Sequence, residues 1–320
     1  MGVLCALCSV AGWAEKNRRW RDATIRRLES DGAYVWLDHT SGGGPRAAVD
    51  EIQHRYFDDA SSCRLEGDRI TEATLDVACQ LRTLDEVEIF DTRLRPQAIA
   101  RLGELPNLAT LRLLRNAEVG RTGIADIVRA CHRLETFECD VTGLKANGLD
   151  CLRQLPRLRV LTLASDVRID SALDLDVLKR LPALEELRLE GLVLTASQWR
   201  DVGRIGSLRV LDARHTKLTD KPIVWAVNPA WELDCLLLDN AQIGRRGLEH
   251  LTRVRRIRRL SLDWCGGIDD SAMPVLTRIP GLKLVTIYDT DVTAAGIAVL
   301  TQSGIRDGFD AFQWLEGERE

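Results

Sequence analysis

Cys5 and Cys8 are separated by two residues, the spacing of a zinc or dithiol site, but no second pair and no nearby histidine completes one. His39, His54, His132, His215 and His250 are scattered along the chain, and neither G-x-S-x-G nor H-E-x-x-H occurs. Asp239 and Asp263 lie 24 residues apart, and two carboxylates brought side by side do acid–base work only in a pocket that shifts their pKa values. With no complete catalytic, metal or cofactor constellation, the chain reads as non-enzymatic. What remains is the chemistry of recognition. Arg214, His215, Asp239, Asn240, Asp263, Trp264, Tyr288 and Asp289 set aromatic rings beside charge, the mixture of which binding hot spots are made. Trp264 and Tyr288 would anchor a partner, with the aspartates selecting a basic or hydroxylated group; the alternative is that Trp264 folds into a turn and packs a corner. Arg245, Arg246, Arg253, Arg255, Arg256, Arg258 and Arg259 would suit phosphates. No aromatic residue interleaves with them and Glu249 lies among them, so they read as a solvated helical face, and no nucleic-acid partner is expected.

The elements that would position these residues follow from a recurring phrase: an apolar residue, a variable one, a second apolar residue, and a third five or six positions later. It occurs ten times, beginning at Cys63, Val87, Leu111, Phe137, Leu161, Leu187, Leu211, Leu236, Leu260 and Val285, at intervals of 24 to 26 residues. Side chains alternate across a strand, so the two apolar residues flanking a variable one share the buried face. Helical spacing follows, as in Ile99, Leu102 and Leu105 after Pro96, and in Leu248, Leu251 and Val254.

The phrase resembles the leucine-rich repeat in its L-x-x-L-x-L form, whole in Leu184–Leu189 and Leu208–Ala213, over roughly residues 57–305. The corners Thr216-Lys217-Leu218-Thr219-Asp220 and Thr290-Asp291-Val292-Thr293 are similar to those of bacterial leucine-rich proteins best known from planctomycetes. So are Tyr34–Asp38, at the end of a segment from Arg21, and Tyr56–Asp59. The resemblance implies an α/β solenoid (horseshoe) of about ten repeats, with a parallel concave β-sheet and convex helices. It also implies a scaffold or adaptor binding another protein on the concave face. Two other roles stay open: an F-box-like substrate receptor in ubiquitin ligation, although residues 1–56 show no F-box, and a membrane-tethered structural component of a bacterial envelope.

Along the sheet the central variable positions read Arg64, Glu88, Arg112, Glu138, Thr162, Arg188, Asp212, Leu237, Ser261 and Thr286. Their alternating signs in the first half predict lateral pairing between strands. The domain reading has four parts. Residues 1–14 are an apolar stretch, an anchor remnant or a loose terminus. Residues 15–56 form a cap, with a helix over 15–31 closed by Gly32, a strand at Ala33–Leu37 and a second short helix at 46–56. Residues 57–305 are the repeats, read as one elongated domain. Residues 306–320 form a C-terminal cap using Phe309, Phe312, Trp314 and Leu315.

The formal charge of −4 argues against general polyanion binding. Nine cysteines, most at small apolar core positions, point to a reduced, cytoplasmic interior. The run at residues 2–14 is too short to span a membrane, although a tether through it stays open. A monomer is expected.

Overall fold

The computed structural model describes residues 2–37, 60–116, 119, 123–142, 144, 146–170 and 173–308. The expected helix at 46–56, the Tyr56–Asp59 stretch and the closing residues Phe309, Phe312, Trp314 and Leu315 lie outside the described residues, as do the side chains of residues 2–14. The chain divides into two compact units, Met1–Leu134 and Glu135–Glu320.

In the first unit, helix α1 runs Gly2–Ser30, longer than its apolar spacing predicted. It ends as Gly32 turns left-handed at φ +98° and its N–H returns to the Glu29 carbonyl. Leu28 is buried, whereas Trp20 stands half exposed. Strands β1 (Ala33–Leu37), β2 (Ala60–Glu66), β3 (Glu86–Phe90) and β4 (Thr110–Leu114) lie in chain order, β1 antiparallel to β2 and the rest parallel. Between them lie α2 (Glu72–Ala78), α3 (Pro96–Ile99) continuing into a 3-10 turn, and, after β4, α4 (Ala125–Ala130). A capping box on Thr71 opens α2. Its Thr74 hydroxyl also donates to Asp31 at 2.9 Å, fastening the end of α1 to the first repeat.

The second unit carries β5 (Thr136–Asp140), β6 (Val160–Asp170), β7 (Glu186–Val193), β8 (Val210–Asp212), β9 (Glu232–Leu237), β10 (Arg256–Ser261), β11 (Leu284–Thr286) and β12 (Arg306–Asp307). All are parallel and in chain order. Register aligns Phe137, Leu161, Leu187, Leu211, Leu236, Leu260 and Val285 in one buried row. Each such leucine removed from water contributes about 2 kcal/mol. The segments between strands are short: α5 (Ala196–Gly203), α6 (Asp220–Ala226), α7 (Arg245–Leu251), α8 (Met273–Leu276) and α9 (Ala294–Gln302), with 3-10 turns at Asp150–Gln154, Asp176–Arg180 and Asp270–Ala272. The repeat length leaves room for only a turn or two of helix before the next strand.

Carboxylates fasten one repeat to the next. Asp220 Oδ1 accepts the N–H of Gly244 at 2.8 Å and of Gly247 at 3.0 Å, giving an acceptor to the backbone donors at the start of α7. Asp270 does the same for α9, accepting from the Thr293 N–H at 2.8 Å and hydroxyl at 2.6 Å. These bonds hold the Asp270 carboxyl below its ordinary range. A Cβ at Gly247 or Gly296 would collide with the capping oxygen, whereas one at Gly206 would meet nothing within 4 Å. Gly247→Ala is therefore expected to lower unfolding stability by about 1–3 kcal/mol, despite alanine's better helix propensity. Gly206→Ala should stay within about 0.5 kcal/mol of the parent. Urea unfolding of both variants checks the pair, and an unchanged midpoint for Gly247→Ala would remove the close-approach argument.

Candidate partner-binding site

The residues expected to face a partner follow strands β8 to β11 of the second unit. Each of those strands ends in a tight turn whose second residue is left-handed: His215 (φ 60°), Asn240 (φ 59°), Trp264 (φ 56°) and Asp289 (φ 53°). A side chain there costs about 1–2 kcal/mol in most settings. What holds it is a hydrogen bond to the following repeat, since the N–H of His215 reaches the Asp239 carbonyl at 3.1 Å, Asn240 reaches Asp263 at 2.8 Å and Trp264 reaches Tyr288 at 2.8 Å. The turns are thus stacked in the same register as the strands.

On this stack Trp264 and Tyr288 stand out from the surface, 48% and 72% exposed. Their rings meet edge to face with centroids 5.9 Å apart. Trp264 therefore does not pack into the corner. That place is taken by Cys265, which is buried and donates its S–H to the Leu238 carbonyl at 3.3 Å. Asp263 lies under the pair and accepts the Tyr288 N–H at 2.7 Å. The exposed Asn240 amide donates to His215 Nδ1 at 3.2 Å.

Two of the eight expected residues turn away from solvent. Arg214 forks onto Asp212 of its own repeat, Nε to Oδ1 at 2.9 Å and Nη2 to Oδ2 at 2.6 Å, and is largely covered. Asp239 is buried, accepting from the Ser261 hydroxyl and from the Asp263 N–H at 3.1 Å. Ser261 in turn shares a hydrogen bond with Thr286 at 2.6 Å. The central positions Asp212, Leu237, Ser261 and Thr286, expected to face solvent, are all buried. Asp239 and Asp263 are neighbours, but Asp239 is committed to this network and forms no open acid–base pair. Among the described residues no group of three or more His, Cys, Asp and Glu side chains is placed to hold a metal ion.

Many charges elsewhere are paired internally. In the first unit Arg64 bridges to Glu88 at 3.5 Å, as the alternation predicts, and to Glu66 at 2.9 Å. Arg112 pairs diagonally with Glu86, and the Arg64 and Arg115 guanidinium groups lie 5.0 and 5.2 Å from the Phe90 ring centroid. The arginine run also disperses. Arg255 and Arg256 reach Glu232 at 3.0 and 3.5 Å, Arg258 reaches Asp234 at 3.4 Å and Arg245 reaches Glu249 at 3.5 Å. Arg255 holds the Glu232 carboxyl below its ordinary range.

Three features escaped the sequence reading. Tyr34 and Trp36 form an exposed pair on β1, ring centroids 6.4 Å apart; the alternation Ala33-Tyr34-Val35-Trp36-Leu37 carried that signal. Trp225 is half exposed on α6, with the Arg200 guanidinium 4.7 Å above its ring. Burial, and after it the Asp263 charge, push the Asp307 carboxyl up, an arrangement set by β12 that no local pattern announces.

Burial pushes the Asp239 carboxyl above its ordinary 3.8, against the hydrogen bond from Ser261, and the Asp263 charge adds to the rise. Ionising Asp239 therefore costs more in the folded chain than in the unfolded one. The penalty is absent below about pH 4 and grows as the pH rises through the folded value. Asp239→Asn, which keeps an acceptor at Oδ1, is expected to be more stable than the parent at pH 7 by on the order of 1 kcal/mol, the difference closing below about pH 4. Thermal melts across that range check it, and a destabilised Asn variant at pH 7 would show that the network needs the charge.

No family model matches the chain, and no curated protein matches it. Among solved structures, an internalin (inlF) from Listeria monocytogenes str. 4b F2365 is 17% identical with a TM-score of 0.47, over 73% of this chain and 70% of its own. TLR13 in its complex with ssRNA13 is 16% identical with a TM-score of 0.52, over 81% of this chain. The chain spans 38% of the length of that TLR13 chain. The periodic phrase, the parallel ladders in chain order and the TLR13 likeness agree on one architecture, the leucine-rich-repeat α/β solenoid fold.

Proposed function

We propose that the chain is a non-enzymatic protein-recognition module, a scaffold or adaptor, that docks a partner protein on the exposed face of the second unit. The observation that carries this reading is the Trp264–Tyr288 pair, two large rings held in the open on turns whose backbones are bonded to each other. Rings that are already ordered lose little entropy when a partner covers them, which is what makes such residues anchors. Asn240, His215 and Asp289 supply polar contacts around them, while Arg214 and Asp239 act beneath the surface by fixing the strand ends.

The carboxylates of this region favour a protein over a polyanion. The Thr-Asp corners support placing the chain with the bacterial proteins they resemble. A reducing, cytoplasmic setting is supported by the thiols: Cys63, Cys79, Cys131, Cys139, Cys151, Cys235 and Cys265 are free. Burial pushes Cys63, Cys131 and Cys265 up to about 12 and Cys79 to about 11, so they behave as small apolar groups. No helix among the described residues is long and apolar enough to cross a membrane.

The test is capture from lysate of the source organism with the full chain as bait, beside the Trp264→Ala, Tyr288→Ala double variant. A protein retained by the parent and depleted at least about tenfold by the double variant is expected, matching the loss of two anchors at over 1 kcal/mol each. Equal retention by a double variant with an unchanged melting curve would remove the site.

A further inference from the structure

We propose that the docking face takes a cationic side chain, a lysine or arginine of the partner, seated against the Trp264 and Tyr288 rings and beside the carboxylates of Asp263 and Asp307. This rests on the reading that the Trp264–Tyr288 pair is the docking site, and it adds the chemistry of what docks.

Many carboxylates on the strands and the segments between them are matched by arginine: Glu66 and Glu88 by Arg64, Glu185 by Arg159, Glu186 by Arg188, Asp212 by Arg214, Glu232 by Arg255 and Asp234 by Arg258. Those beside the aromatic pair are not. Among the described residues no lysine, arginine or histidine makes an ion pair with Asp263, Asp289 or Asp307. Asp263 is held in place by the Tyr288 N–H alone among its side-chain bonds. Asp307 is pushed up by burial and then by the Asp263 charge, against a hydrogen bond from the Gly308 backbone. The ladder sets Asp307 opposite Val285 on β11, which in turn lies opposite Leu260 of β10, the strand that leads into Asp263.

The rings supply the other half of the seat. A T-shaped pair leaves one ring face open to solvent, and the negative face of tryptophan or tyrosine attracts a guanidinium or ammonium group by about 0.5–2 kcal/mol. The protein already uses this contact internally, with Arg200 over Trp225 and Arg64 and Arg115 around Phe90. At Trp264 and Tyr288 no arginine or lysine of the chain occupies that position among the described residues. A cation arriving with a partner would relieve the Asp263–Asp307 repulsion and cover the rings together, so complementarity selects a basic partner and rejects an acidic one.

The test uses the ¹⁵N-labelled full chain, with the Trp264 indole N–H resonance identified by its loss in Trp264→Phe. Three capped tripeptides, Gly-Arg-Gly, Gly-citrulline-Gly and Gly-Glu-Gly, and a ten-nucleotide oligothymidylate are titrated separately. The arginine peptide is expected to shift the indole resonance saturably, the citrulline peptide to bind about tenfold more weakly, and the glutamate peptide and oligonucleotide to leave it in place. The Asp263→Asn, Asp307→Asn double variant keeps an acceptor for the Tyr288 N–H and should erase most of the arginine preference. Citrulline binding as tightly as arginine, a larger shift from either anion, or no shift from any probe would overturn the cationic seat. A partner captured by the double asparagine variant but lost from the double alanine variant would overturn it too, while leaving the docking site standing. A partner captured by the alanine variant would instead bring down the docking site.

Discussion

Within each unit the strands obtain their backbone partners from neighbouring strands. A strand of two to eleven residues cannot satisfy its own N–H and C=O groups, and leaving them unmet when buried costs about 1–3 kcal/mol each. Residue-for-residue pairing across the parallel ladder meets that demand, and it fixes which side chains can neighbour which. The ladder also continues past the strands. Gly67 reaches Phe90, Asp91 reaches Leu114, Val141 reaches Ala164 and Trp264 reaches Tyr288, so the turns are as closely registered as the sheet. Left-handed residues stand at several of these turns, and Gly67, Asp91, His215, Asn240 and Trp264 each direct their N–H along the stack. Glycine meets the requirement at position 67, and elsewhere aspartate, asparagine, histidine, arginine and tryptophan accept the strain. Trp264 is exposed because of how its backbone is held.

The same constraint explains the polar column inside the second unit. Asp239, Ser261 and Thr286 occupy successive strands or strand ends and are too small to reach past their larger neighbours into water. Their hydrogen bonds run along the ladder, from Thr286 and Ser261 to Asp239, and the Asp239 oxygen also takes the Asp263 N–H. A buried carboxylate is expensive, and this one is retained where it orders the backbone directly beneath the aromatic pair. Buried Asn116 plays the comparable part in the first unit, donating to the Ile89 and Leu114 carbonyls at 2.8 Å and accepting from Thr92.

The core was legible because periodicity is a property of the sequence itself. An apolar residue at every other position of a strand, recurring every 24 to 26 residues, can only be aligned in one register without exposing a whole row. Leu161, Leu187 and Leu260 are buried for that reason. The grouping of the candidate site is legible in part: type and spacing single out Trp264, Tyr288 and Asp263, which the structure brings together. The inward turn of Arg214 and Asp239 is not legible, because an arginine two residues past an aspartate can fork back onto it, and a carboxylate can sink toward a serine 22 residues away. Asp307 was missed because its neighbour is brought to it by a strand of two residues. The antiparallel β1 and the 3-10 turns are likewise decided by what packs against them.

The capping carboxylates have a consequence for how such a chain can grow or be cut. Asp220 belongs to one repeat and the glycine that makes room for it, Gly247, belongs to the next; Asp270 and Gly296 stand in the same relation. Neighbouring repeats are therefore matched like adjoining words that must agree in number. A unit copied or deleted at an arbitrary boundary separates an acid from its glycine, leaving a helix start without acceptors on one side and a carboxylate facing a methyl group on the other. The segment that can be transplanted intact is the one that carries both halves of the junction, and it is out of step with the strand-to-strand repeat that the eye first picks out.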